Sequence, residues 1–305
     1  MTGELASRIE AELSAPAPDA VRAFAAALAD PEVDAAILYY GSTLRTGDLS
    51  GVLDFYRLTR KPHRRGLRGA VERVLWPEVS YHEAHGLKAK VATLPLATFR
   101  RAAEGRTLDT TIWARFVQPA MRVWSAEPAC ARAAADAVAA AVVTAGRFAA
   151  ALGPQAGPPE AFWQALFRRT YSAEFRVETA ERADTVVGAA AKRYAEILPL
   201  AWAAGGVTFT REDGTLRPAK SGLPGWTAPS LLGKPLNVAR ILKAAFTFQG
   251  AARYAAYKVA RHTGVELEVT PFRERHPFLA APGAWLELRR RQAEARRGRA
   301  SSPNS

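Results

Sequence analysis

One cysteine, Cys130, in 305 residues leaves no partner for an internal disulfide and no cage of thiolates for zinc. That usage fits a reducing cytosol, with Cys130 expected as a small buried residue. Acidic side chains are also scarce, 29 against 42 lysines and arginines, for a net charge of +13. The imbalance points to an anionic partner, but charge alone does not choose among nucleic acid, a phospholipid surface and a phosphorylated substrate. Long uncharged apolar runs are missing too. The most apolar region, 129–152, is interrupted by Arg132, Asp136 and Arg147, which argues against a spanning helix and leaves only sideways contact with a membrane. Glu4 and Glu10 among the first residues argue against a secretory signal. His63, His82 and His85 have no metal-site spacing and are expected at the surface or in turns. With these classes set aside, 49% hydrophobic content supports a packed core.

What is present is organised around residues 37–58. An apolar run, Ile37-Leu38-Tyr39-Tyr40, ends on Gly41-Ser42; a polar loop with Gly47 and Gly51 follows, and a second β-prone run carries Asp54 between Leu53 and Phe55. The pattern predicts strand, phosphate loop, strand. Without a Cβ at Gly41 the backbone can approach a phosphate closely, and Ser42 adds a hydroxyl donor. Asp54, one strand away, would hold Mg2+ beside the reacting phosphates. Gly-Ser followed by a strand carboxylate resembles the DNA polymerase beta superfamily of nucleotidyltransferases, although the usual Asp-x-Asp is reduced here to Val52-Leu53-Asp54. The same stretch also reads as two buried strands around a tight turn.

Upstream, two helical pieces are expected, from Glu4 to Leu13 and from an N-cap at Asp19, the second facing the sheet with Val21, Phe24 and Leu28. Downstream come a basic turn at 60–66, a helix from about Leu67 to Leu75, and two strands, 78–82 and 87–94, turning at His85-Gly86. Lys88 and Lys90 share a face of the second strand, either as phosphate ligands or as a wet surface. A helix from Leu96 toward Asp109, a helix stopping before Pro119 and a long alanine-rich helix over 129–152 follow. Gly153 to Pro159 marks a domain boundary, and 203–230 reads as a flexible insertion with a hairpin at Asp213-Gly214. Residues 236–261 form an amphipathic pattern without acids, suited to an anionic membrane surface or to a core helix with a basic outer face. The arginine-rich end, 289–305, is expected to be disordered in its last part.

The order of these signals resembles that of the mitochondrial translocator assembly and maintenance proteins, which are phosphatidate cytidylyltransferases. Tyr40-Gly41-Ser42 and Leu53-Asp54-Phe55 match that family's Tyr-Gly-Ser-Gly and Leu-Asp-Phe, and the family also lacks an Asp two positions earlier. His63 stands for its Trp-His. Lys88 stands for the Lys of Ile-Lys-Tyr-Gly-Val, without the Tyr-Gly. Arg115 and Pro119 match the Arg and Pro of Ala-Gly-Arg-Leu-Gln-Lys-Pro; Tyr171, Glu174, Phe175 and Arg176 match Ser-Tyr-x-Gly-Asp-Phe-Arg, with Glu for Asp. Lys243, Phe246, Thr247, Gly250, Tyr254 and Lys258 match the C-terminal pattern.

The resemblance implies an α+β polymerase beta-like nucleotidyltransferase over residues 1–125, with a mixed sheet and helices. It is followed by a helical, winged-helix-like domain over 126–202, the Gly/Pro-rich insertion 203–235, and an amphipathic membrane-associating helix and basic tail over 236–305. It implies CTP and phosphatidic acid as substrates, CDP-diacylglycerol and pyrophosphate as products, and Mg2+ on Asp54 and Glu174. Gly41, Ser42, Lys88, Arg115 and Arg176 would contact nucleotide or acceptor phosphates. The chain would work in the cytoplasm, peripherally at the inner face of the cell membrane, with its C-terminal region on anionic lipid and no nucleic-acid partner. Two other classes stay open: a nucleotidyltransferase with a soluble or protein acceptor, and a non-catalytic basic nucleic-acid-binding protein.

Overall fold

All seven residues of Asp34–Tyr40 are buried, and they form β1, a strand covered on both faces. That burial is why an unbroken apolar run precedes Gly41-Ser42 in place of an alternating one. The computed structural model describes residues 3–300 except 62–65, 67–68, 70–73, 108–109, 174–179, 227–234, 237, 241–242 and 244–246. Beside β1 lie β2 (Val52–Thr59), β3 (Glu78–Ala84), β4 (Leu87–Pro95) and β5 (Ala120–Ser125), in the sheet order β3-β4-β2-β1-β5. The sheet is mixed: β2 and β4 run parallel, and the other three pairings are antiparallel. The architecture is therefore α+β, as the sequence predicts. The edge strand β5, directly after Pro119, carries no alternation strong enough to have announced it.

One face of the sheet is covered by α2 (Asp19–Leu28), whose Val21 and Phe24 pack on Ile37, Tyr39 and Phe55, the Phe24 and Phe55 rings stacking at 5.9 Å. The N-cap is Pro18, one residue before the expected Asp19. Leu38, Tyr40, Tyr56, Leu58, Ala92 and Leu94 point to the other face and enter a larger core with α1 (Gly3–Leu13), α4 (Leu96–Ala103), α5 (Thr111–Phe116) and α6 (Pro128–Leu152). The short α3 (Ser42–Thr46) occupies the predicted polar loop.

The long α6 is the axis of that core. By length and composition it could cross a membrane, but 67% of its most apolar window is buried inside the protein, in agreement with the charges that interrupt it. Alanines and Gly146 along α6 allow close approach of α9 (Ala191–Ala204), whose Trp202 Nε1 donates to the Gly146 carbonyl at 2.8 Å. Trp163 of α7 (Pro159–Ala173) donates likewise to the Tyr194 carbonyl at 2.9 Å. After α7 come α8 (Ala180–Gly188), α9 and a hairpin of β6 (Phe209–Glu212) and β7 (Thr215–Pro218), turning at Asp213-Gly214 as expected. One continuous core runs from Leu5 to Leu216, crossing both the proposed boundary at 125/126 and that near 153–159.

Several expectations change. Residues 203–226 are anchored at two points: Leu216 is fully buried, and the Lys220 ammonium donates to the carbonyls of Ala150, Gly153 and Pro154, closing the end of α6. The proposed helix over 236–261 is interrupted, because the Tyr81 N–H donates to the Gln249 carbonyl at 2.8 Å and Gly250 takes φ of 79° before α10 (Ala251–Thr263) begins. α11 (Pro271–Arg275) follows, and α12 (Pro277–Ala300) carries helix into the arginine-rich end, whose last residues, 301–305, lie outside the described residues. Cys130 is half-buried near the start of α6, its thiol 3.5 Å from Glu127 Oε1, and is not a core residue. His82 is half-buried in β3, while His85 does occupy the turn. The expected helix over 67–75 and His63 lie almost wholly or wholly outside the described residues.

Candidate functional site

Strand register builds the site. Tyr40, the last residue of β1, pairs with Asp54 of β2, and Asp54 pairs with Lys90 of β4. Three side chains on adjacent strands therefore stand in one row on the same face of the sheet. Lys90 Nζ lies 3.8 Å from Asp54 Oδ1. Lys88, two residues earlier, pairs with Val52, and its ammonium sits 4.3 Å over the Tyr257 ring. The lysine beside the carboxylate is thus Lys90; Lys88, the residue chosen on the family motif, is not among the pocket-lining residues.

Gly41 is required at this point for a geometric reason. Its φ is 96°, and a Cβ there would stand 2.6 Å from Asp54 Oδ2. Only glycine lets the β1 end pass so close to the carboxylate. From Gly41 the chain turns into α3, which carries Ser42 at its start and Arg45 one turn later. Behind the row, burial pushes the Tyr39 phenol above its usual range, and the Asp54 charge adds to that.

The pocket so formed has a volume of about 280 Å3 and is polar. It is lined by Tyr40, Gly41, Ser42 and Arg45 from the end of β1 and α3, by Asp54 of β2 and Lys90 of β4, by Arg115 of α5 and Gln118 just after it, and by Tyr171 of α7 and Val186 of α8. Arg115 is oriented by a 2.8 Å hydrogen bond to the Tyr56 hydroxyl and lies over the Tyr40 and Tyr56 rings. Arg45 Nη1 donates to Gln118 Oε1 at 3.4 Å, and Gln118 Nε2 donates to the Ala114 carbonyl. Among the described residues that line the pocket, three are cations and one is a carboxylate, a balance that favours a polyanionic ligand.

Of the sequence-chosen residues, Gly41, Ser42, Asp54 and Arg115 come together here; Glu174 and Arg176 lie outside the described residues. Sequence reasoning missed Arg45 and Gln118, and it placed Lys90 second to Lys88. Arg45 is one helical turn beyond Ser42, a signal visible only if a helix had been expected there. Among the described residues no group of three or more His, Cys, Asp or Glu side chains could cage a metal ion. Asp54, the one carboxylate among the described lining residues, could hold magnesium if substrate phosphates completed the coordination, an ordinary arrangement for that ion. No family model matches the chain, and no curated protein matches it in sequence.

Proposed function

We propose that this protein is a nucleotidyltransferase that transfers CMP from CTP to phosphatidic acid, releasing pyrophosphate. The observation that supports it best is the row Tyr40, Asp54 and Lys90 beside Gly41-Ser42, with Arg45 and Arg115 lining the same 280 Å3 polar pocket. Asp54 is the residue that would hold Mg2+, and the ion would neutralise charge on the reacting phosphates. Lys90, Arg45 and Arg115 hold and orient the phosphate oxygens. An acceptor phosphate oxygen attacks the α-phosphorus, a new P–O bond forms, and the bond to the β-phosphate breaks with pyrophosphate as leaving group. The attacking phosphate is already ionised near neutral pH, so no side chain need act as general base. A site with few carboxylates then suffices, because positioning and charge neutralisation carry the rate.

The acceptor assignment rests on the order of motifs and on the basic, apolar-faced C-terminal helices, which suit peripheral attachment to an anionic membrane. The test is pyrophosphate release from each of the four nucleoside triphosphates with Mg2+, with and without phosphatidate vesicles, for the parent chain and Asp54→Asn. Release that needs CTP and lipid together and disappears in the variant is the expected result. Release without lipid overturns the acceptor, and release unaffected by the substitution overturns the site.

A further inference from the structure

A second cavity among the described residues is larger than the polar pocket. Between α10 and α12 lies a groove of about 620 Å3, within the range of roughly 300–1,000 Å3 typical of small-molecule sites. Its walls are Ala252, Ala256 and Val259 from one helix and Ala280, Ala284 and Trp285 from the other. Small side chains facing each other leave an open apolar channel where leucines or phenylalanines would have closed a core. We infer that this groove binds one fatty acyl chain of an anionic phospholipid. The inference deepens the lipid-acceptor reading and rests on it for the class of ligand.

Two further observations choose this occupant. Phe272, Leu279, Trp285 and Leu286 are 57%, 74%, 57% and 53% exposed, so four of the seven large apolar side chains left exposed among the described residues cluster on α11 and α12. The charge is complementary to a lipid headgroup: residues 251–300 hold eleven Lys and Arg against five Glu, and Arg289, Arg290 and Arg291 are exposed just beyond the groove. Arg273, which also lines the groove, and Arg291 both pair with Glu287, at 2.6 and 2.7 Å, so, among the described residues, the unshared positive charge beside the groove is that of Arg289 and Arg290. The opposite side of α10 is fixed to the catalytic sheet through Tyr254 against Tyr81, ring centres 5.5 Å apart, and through Lys88 over Tyr257. A chain held in the groove is thereby held beside the sheet that carries Asp54.

The test uses the full-length chain and monomeric dihexanoyl and dioctanoyl phosphatidate below their micelle concentrations, with binding read by calorimetry. We expect saturable binding at one lipid per chain, about fifteenfold tighter for the octanoyl lipid. That ratio follows because the held chain gains two methylenes, each contributing about fourfold. Ala284→Phe and Ala256→Leu, which fill the groove, should each weaken binding about tenfold or more with circular dichroism unchanged, and glycerol 3-phosphate should not compete. Equal affinity for both chain lengths, binding only to intact vesicles, or a dimer whose dissociation by Ala284→Phe accompanies the absence of lipid binding would each overturn the inference. If either filled variant misfolds, the chain-length ratio of the parent protein decides alone. Lipid binding retained by Asp54→Asn, in a parent chain that never releases pyrophosphate, would uphold the groove and sink the transferase reading; release from CTP and phosphatidate without chain-length dependence would do the reverse.

Discussion

At the scale of single residues, Gly41 and Lys90 carry the sharpest expectations. Gly41→Ala places a methyl in a left-handed backbone conformation and 2.6 Å from Asp54 Oδ2. Strain of about 1–3 kcal/mol should appear as a lowered denaturant midpoint. On the proposed function, displacement of the carboxylate should remove pyrophosphate release as fully as Asp54→Asn is expected to. Lys90→Met and Lys88→Met separate register from motif. Because Lys90 is 3.8 Å from Asp54 while Lys88 sits on Tyr257, steady-state kinetics should show kcat/KM falling more than about tenfold for the first. The second should change it less than about threefold, its effect confined to the seating of α10. Equal losses would mean that both lysines serve the phosphates. The glycine and the carboxylate were legible in the sequence as a pair, since their spacing is local. The lysine was not, since only the parallel pairing of β2 and β4 decides which of two residues on one face lies opposite Asp54.

At the scale of elements, the crossing of α6 and α9 offers a test in which two known effects oppose each other. Glycine to alanine inside a helix ordinarily stabilises by up to about 1 kcal/mol. At Gly146, however, the new Cβ would lie 2.8 Å from the Ala201 Cβ, and overpacking of this kind costs about 1–3 kcal/mol. Gly146→Ala should therefore lower stability, and a chemical denaturation curve with a lower midpoint and unchanged slope would show it. The strand β3 carries a pH dependence. Burial, then the nearby Arg57 and Arg253, push the His82 imidazole below its ordinary value of 6.5. The unfolded chain then takes up a proton near that value while the folded chain does so only at lower pH. Stability is present above pH 6.5 and is lost as pH falls through the folded value. Melting temperatures between pH 8 and pH 5 should fall less for His82→Gln than for the parent. Helix α6 and the hairpin were readable from alanine content and from Asp213-Gly214. The strand β5 and the break at Gly250 were not, because each exists through a pairing with a distant partner, β1 in one case and Tyr81 in the other.

At the scale of the whole molecule, one core from Leu5 to Leu216 joins the sheet unit and the helices after it. Fluorescence of tryptophans in that core, such as Trp113 and Trp202, should therefore report a single unfolding transition. Two separated transitions would restore independent domains at the boundaries read from the sequence. Helices α10 to α12 contribute no residue to that core, so their amides should exchange with solvent before those of β1 and β2. The net charge of +13 also predicts that any binding to anionic vesicles weakens steeply as ionic strength rises, checked by co-sedimentation at low and high salt.

The sequence by itself determined the α+β class, the strand ends that carry Gly41, Ser42 and Asp54, and the cationic excess. Each of these is written in local spacing or in composition, which no packing can alter. Tertiary structure alone decided that Lys90 and not Lys88 meets Asp54, and that Arg45, Gln118 and Tyr171 share the pocket. It also decided that the C-terminal helices enclose an apolar groove where the sequence suggested one continuous amphipathic face. The physical reason is common to all three: strand register and helix crossings bring together residues far apart in the chain, and the free energy that selects them is spread over the whole core.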